Sequence, residues 1–187
     1  MVVRTPAAAT LDDLYKVEGK AELIGGRIVL MPSGYLPIVV AGEIFALLRE
    51  YVRSLGVGVA LSDGIGFAQR PPMPSGRGSF SPDAAYYTGP LPTNRMRFID
   101  GAPDFAAEVR SETNYGPIAE VDLAAKRADY FLAGTQVVWD VDPVARTITV
   151  YRAANPTQPT TFRCGDIADA EPAVPGWRVA VDAIFPG

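Results

Sequence analysis

Pro103-Asp104-Phe105-Ala106-Ala107-Glu108-Val109-Arg110 opens the stretch, running on to Asp142-Pro143, whose periodicity decides the fold. Asp104 to Arg110 alternates in the two-residue period of a strand, which puts Glu108 and Arg110 on one face and Phe105, Ala107 and Val109 on the other. Ile118 to Ala133 follows, with Asp122, Lys126, Asp129 and Tyr130 at three- and four-residue spacings and a stop at Gly134, and it predicts a helix. Gln136 to Val141 is rich in β-formers and ends at Asp142-Pro143, so a second strand is expected there. Strand, helix and strand in this order predict an α/β fold. A strand-borne acid beside a helix-borne lysine is also an arrangement used for metal-assisted chemistry.

Working outward toward the N-terminus, Asp83 to Tyr87 reads as a strand that begins directly after Pro82. It lies between two loops: proline- and glycine-rich Arg70–Ser81, expected to be mobile, and Thr88–Gly101, which carries Arg95 and Arg97. Val57 to Gln69 reads as a strand weakened by glycines. Pro37 to Leu55 carries Val40, Ile44, Leu47, Leu48 and Tyr51 near helical spacing, with Gly56 after its end, and is the best candidate for a long core helix. Glu22 to Met31 contains two apolar runs around Gly25-Gly26, a hairpin signal closed by Pro32. Thr10-Leu11-Asp12-Asp13 has the pattern of an N-cap with an acid three positions on, opening a short helix through Val17. Beyond Pro143, small antiparallel strands are expected over Thr147–Arg152, Thr160–Arg163 and Trp177–Phe185.

Composition narrows the chemistry. The chain has 187 residues, 48% hydrophobic and 20% charged, and is expected to form one soluble domain over 1–187. No apolar run approaches the ~20 residues of a membrane span. Met1 to Ala9 is too weakly apolar for a signal peptide, so a cytoplasmic protein without membrane partners is expected. Histidine is absent, which removes Ser/His and Cys/His catalysis and every zinc site that needs imidazole. Cys164 stands alone, so the chain has no intrachain disulfide and no cysteine-rich metal site. Any chemistry must rest on carboxylates, Lys, Tyr, Ser or Thr, and a metal would be a hard, oxygen-liganded ion such as Mg²⁺ or Mn²⁺. The 17 basic and 21 acidic residues give a net charge of −4, against a protein that coats DNA by neutralising phosphates. A nuclease with a local basic rim remains compatible with that charge.

The acids then acquire a geometry. Asp83 and Glu108 on neighbouring strands, ~5 Å apart in the hydrogen-bonding direction, can share one divalent cation. Lys126, arriving from the following helix, could orient or deprotonate a water. Glu22, at the start of the hairpin, reads as a solvated strand end. Asp122 and Asp129 read as solvated helix charges or partners of Lys126, and Tyr130, Phe131 and Trp139 as core.

The opening Glu22-Leu23-Ile24-Gly25-Gly26-Arg27-Ile28 with Met31-Pro32, then Pro82-Asp83, Pro103-Asp104-Phe105-Ala106-Ala107-Glu108-Val109, Lys126 with Tyr130, Gly134, Trp139, Val141-Asp142-Pro143 and Pro175-Gly176-Trp177 leading to Ile184-Phe185 form one ordered set. In order and spacing this set resembles the bacterial Uma-two family of restriction endonuclease type, similar in fold to the PD-(D/E)XK nucleases. The resemblance covers nearly the whole chain. It implies a restriction-endonuclease-like α/β (α+β) fold, a mixed bent sheet flanked by the two long helices, and metal-dependent hydrolysis of DNA. It further implies Asp83 and Glu108 as metal carboxylates, the Val109 carbonyl as a third ligand, Lys126 as the catalytic lysine and Glu22 as an accessory acid. One or two Mg²⁺ or Mn²⁺ ions and a homodimer on duplex DNA belong to the same expectation. The parent pattern has a lysine two residues after the glutamate, where this chain has Arg110, which stays protonated and cannot act as a base. The alternative is a catalytically silent interaction or scaffold protein that keeps the fold.

Overall fold

The computed structural model describes residues 8–186. The chain runs through α1 (Leu11–Leu14), the hairpin β1 (Ala21–Ile24) and β2 (Arg27–Leu30), the long helix α2 (Tyr35–Leu55), β3 (Val59–Ser62), β4 (Phe67–Ala68), β5 (Ser79–Phe80), β6 (Ala84–Tyr87), β7 (Ile99–Asp100) and β8 (Phe105–Val109). It continues with α3 (Pro117–Leu132), β9 (Val137–Asp142), β10 (Thr147–Arg152), β11 (Thr160–Arg163), β12 (Ile167–Asp169), β13 (Arg178–Ala180) and a 3₁₀ turn at Val181–Ala183.

Six strands form a mixed sheet in the order β11-β10-β9-β8-β6-β3. The central pair β8 and β9 is parallel and the other pairs are antiparallel. Parallel neighbours cannot be joined by a tight turn, and α3 supplies the crossover between them. The expected alternation is observed: Phe105, Ala107 and Val109 bury on one side of the sheet with Val40, Ile44 and Leu48 of α2. Ala106 and Val138 bury on the other side with Tyr130 of α3 and Phe80. Trp139 and Trp177 stack with centroids 5.0 Å apart, which fastens the C-terminal strands onto the α2 side. Among the described residues no helix is long and apolar enough to cross a membrane. The reading of Met1 to Ala9 falls mostly on residues 1–7, outside the described residues.

Several element bounds move, each for a local reason. Val57–Gln69 is two strands in two sheets, β3 and β4, because Gly64 takes a positive φ of 90° and turns the chain. α1 stops at Leu14 although its Thr10/Asp13 capping box forms as expected. α2 starts two residues early, at Tyr35, after Gly34. The expected strand Trp177–Phe185 keeps only β13 before the 3₁₀ turn, and β12, unforeseen, pairs with it. The Arg70–Ser81 loop is anchored where mobility was expected, since Arg77, Ser79 and Ser81 are buried and Ser79 Oγ accepts from the Leu23 amide at 2.8 Å.

Candidate active site

Sheet register builds the site. Ser62 is opposite Ala84, Ala84 is opposite Ala107, and Glu108 is opposite Asp140. One step beyond the first two pairs, Asp63, Asp83 and Glu108 fall in a single row that Asp140 completes across four adjacent strands. Like charges at ~5 Å spacing repel, so the row needs cations between its members. Lys20, just before β1, contacts Asp83 and lies 2.7 Å from Asp63 Oδ1. Lys126 of α3 lies 2.7 Å from Glu108 Oε2 and 2.9 Å from Glu22 Oε1. Arg110 and Arg127 close on Asp140, at 2.7 and 3.2 Å.

Glu22 is the most enclosed of these acids, with 1% of its surface exposed. Its solvated reading is therefore overturned: the hairpin directs the side chain inward, where it accepts from the Ser81 amide at 2.9 Å and meets Arg77 at 2.5 Å. Asp129 is likewise buried rather than solvated. It accepts from Arg77 Nε at 2.9 Å and from the Ser75 hydroxyl at 3.0 Å, which ties the proline-rich loop to α3. Tyr130 is core, as expected of its ring, yet its hydroxyl donates to Glu108 Oε1 at 2.6 Å. Asp122 is exposed, and Arg97 pairs far from the cluster with Asp12 at 3.1 Å.

These contacts set the charge states. Burial pushes the Glu22 carboxyl up, but Lys126 and Arg77 outweigh it and hold the group below the ordinary range. Glu108 goes the other way: burial, with Asp83 and Glu22 nearby, outweighs Lys126 and raises it. Burial favours a neutral Lys126, yet Glu108 and Glu22 raise it and keep the ammonium. Lys20 is raised in the same way, Asp83 and Glu108 overcoming its burial. Burial and the neighbouring Glu108 push the Tyr130 hydroxyl well above the usual tyrosine range.

Asp83 and Glu108, the middle of the row, lie with Lys20, Glu22 and Lys126 at the floor of a cleft of about 1080 Å³ whose walls are β2 and the start of α2 on one side and the Arg110–Tyr115 loop with α3 on the other. The family model described as "Uma2: Putative restriction endonuclease" matches residues 8–182. The chain belongs to the Uma2 family. The match takes in the Uma2 hairpin that carries Glu22, the strands of Asp83 and Glu108, and α3 with Lys126. The fold resembles the crystal structure of a putative nuclease from Anabaena variabilis, with a TM-score of 0.70 and 19% sequence identity over 94% of this chain and 97% of that chain. No curated protein matches the sequence.

All five positions singled out in the sequence of this Uma2 chain, Glu22, Asp83, Glu108, Val109 and Lys126, line the cleft together. Arg110 donates its amide to the Val141 carbonyl at 2.9 Å, so strand alternation turns the amide and carbonyl of Val109 toward the Asp83 edge. The Val109 amide meets Asp83 Oδ2 there at 2.6 Å. Among the described residues no three His, Cys, Asp or Glu side chains are grouped to hold a metal. The donor set is two carboxylates and a carbonyl, all hard oxygens. That chemistry fits Mg²⁺ or Mn²⁺, which fill their remaining positions with water. Sequence reasoning missed Lys20, Asp63 and Arg77. Lys20 had a signal, because its two-residue spacing from Glu22 puts both on one strand face. Asp63 needed the β3–β6 register, and Arg77 needed the path of its loop.

Proposed function

We propose that this Uma2 protein is a metal-dependent nuclease of restriction-endonuclease-like fold, a single domain that hydrolyses DNA phosphodiester bonds. The observation that carries the reading is the facing pair Asp83 and Glu108, with the Val109 carbonyl at its edge and the Lys126 ammonium at its side, on the floor of an open cleft. Asp83, Glu108 and the Val109 carbonyl would hold Mg²⁺ or Mn²⁺. When bound, the cation supplies a Lewis acid that polarises water and phosphate. Lys126, held as an ammonium between Glu108 and Glu22, would donate hydrogen bonds to charge developing on the phosphate. Glu22, fixed by Arg77 and the Ser81 amide, holds that ammonium in place. The Tyr130 hydroxyl fixes the rotamer of Glu108.

The test is cleavage of plasmid and single-stranded DNA with Mg²⁺ or Mn²⁺ by the wild type, Asp83→Ala and Lys126→Ala. Loss in both variants supports the assignment, and equal cleavage by all three removes it. A second reading, a silent scaffold, draws on the saturation of the network: each oxygen of Asp83 and Glu108 already meets a donor. Calorimetry with Mg²⁺ and Mn²⁺, with DNA present, separates the two, since a scaffold takes up no ion. Two-fold pairing on duplex DNA is part of the nuclease reading, and a monomer by light scattering would remove that part.

A further inference from the structure

Lys20 bridges two carboxylates of the row that differ in burial. Asp83 is 11% exposed at its side chain and Asp63 is 37% exposed, and the same ammonium contacts both. The other oxygen of Asp83 already takes the Val109 amide. The ammonium therefore lies against the oxygen of Asp83 that a metal ion would need. Two cations cannot share one carboxylate oxygen at contact distance, since a like charge ~4 Å away costs several kcal/mol at the effective dielectric of a protein surface.

We infer that Lys20 is the resident counter-ion of Asp83, that it competes with the divalent cation for that carboxylate, and that Asp63 is the partner to which it withdraws when the cation binds. The inference rests on the metal-dependent reading above and adds a positioning residue to it. Three features of the chain make the exchange workable. A lysine stem has four rotatable carbons, so the ammonium can move between two acceptors without moving the backbone. Asp63 stands opposite Asp83 on the neighbouring strand, already in contact with the same ammonium. Asp63 is also the more solvated acid, so the ion pair that remains on withdrawal carries little desolvation cost. In the metal-free protein Lys20 keeps the row of acids from repelling itself apart.

The closing experiment measures Mn²⁺ binding by calorimetry and thermal unfolding with and without Mn²⁺, in the full chain. Lys20→Met should bind Mn²⁺ roughly tenfold more tightly than the wild type, the factor that removing a nearby unit charge supplies. It should also unfold at lower temperature in chelator and regain that loss when Mn²⁺ is added. Lys20→Arg, which retains the charge, should leave the affinity near that of the wild type. Asp63→Asn should weaken Mn²⁺ binding in the wild-type background and do so by a smaller factor beside Lys20→Met. Affinity that is unchanged or lower in Lys20→Met, or an equal Asp63→Asn effect in both backgrounds, overturns the inference. If the wild type cleaves DNA with Mn²⁺ and Lys20→Met binds the ion no more tightly, the inference fails and the nuclease reading stands. If neither protein binds Mn²⁺ and the wild type does not cleave, both fail.

Discussion

Two assemblies of acids and cations sit side by side on the α3 face of the same sheet, and they are built to different rules. Around Glu108, the five carboxylates Glu22, Asp63, Asp83, Glu108 and Asp129 meet three cations among the described residues, Lys20, Arg77 and Lys126. Around Asp140, one strand over, the carboxylates Asp140 and Glu120 meet Arg110 and Arg127, and the charges balance. The balanced cluster uses arginines, whose planar forks lock onto carboxylates in pairs and stay charged, as in the two contacts of Arg110 to Asp140 at 2.7 and 2.9 Å. The unbalanced one is left with an acid surplus and two lysines at the floor of the cleft. A surplus of carboxylates in an enclosed place is a standing demand for further positive charge. The difference teaches that a strand acid opposed by a helix cation is a clamp when the charges close, and a candidate site when they do not.

The comparison can be broken most forcefully at Lys126. Lys126→Met leaves Glu22 and Glu108 enclosed without their shared partner and should cost about 3–5 kcal/mol in urea unfolding under chelator. A loss below about 1 kcal/mol would show that the site cluster is as self-sufficient as the clamp. Next in size, Asp83→Ala should lower DNA cleavage by about a hundredfold or more, equivalent to about 2.7 kcal/mol of transition-state stabilisation. Arg110→Met tests the other cluster: stability should fall by about 1–2 kcal/mol, because Asp140 keeps Arg127, while cleavage stays within about threefold of the wild type. A collapse of cleavage with intact stability would move Arg110 from clamp to site.

The smallest effect is a pair of opposed pH slopes. Glu22 is held below the ordinary 4.5, so it contributes stability that is present above that value and lost as pH falls through its lowered pKa. Glu108 is raised above 4.5, so its contribution is present below that value and lost as pH rises through its raised pKa. In chelator, the stability gap between the wild type and Glu22→Gln should therefore shrink on acidification. Relative to the wild type, Glu108→Gln should gain as pH rises above 4.5. Parallel curves for the two variants would dissolve the electrostatic asymmetry of the site.

Arg110 shows how far a local reading reaches. Its shared strand face with Glu108 is correct, yet the pairing suggested by that face is absent, because both side chains find better partners across the sheet and on α3. Its departure from the parent pattern loses its force for the same reason: the guanidinium is occupied by Asp140 and Glu120. Glu22 shows the opposite error. A glutamate at the head of a hairpin ordinarily meets solvent, and nothing local to it reports that the Arg70–Ser81 loop will fold over it and bring Arg77.

The amino-acid order by itself determined the periodic elements: the strand of Glu108, the helix of Lys126, the strand ending at Asp142, the α2 core helix and the Gly25-Gly26 hairpin. Each follows from contacts a few residues apart, where spacing fixes which face a side chain takes. With the resemblance it carried, that order also named Glu22, Asp83, Glu108, Val109 and Lys126. Only the tertiary structure decided that Asp63, Asp83, Glu108 and Asp140 stand in one row, that Lys20 and Arg77 enter it, and that charge closes around Asp140 and stays open around Glu108. Strand order, register and loop path bring together residues far apart in the chain, such as Lys20 with Asp83, 63 positions on, and Glu22 with Lys126, and a Coulomb balance exists only once those distances do.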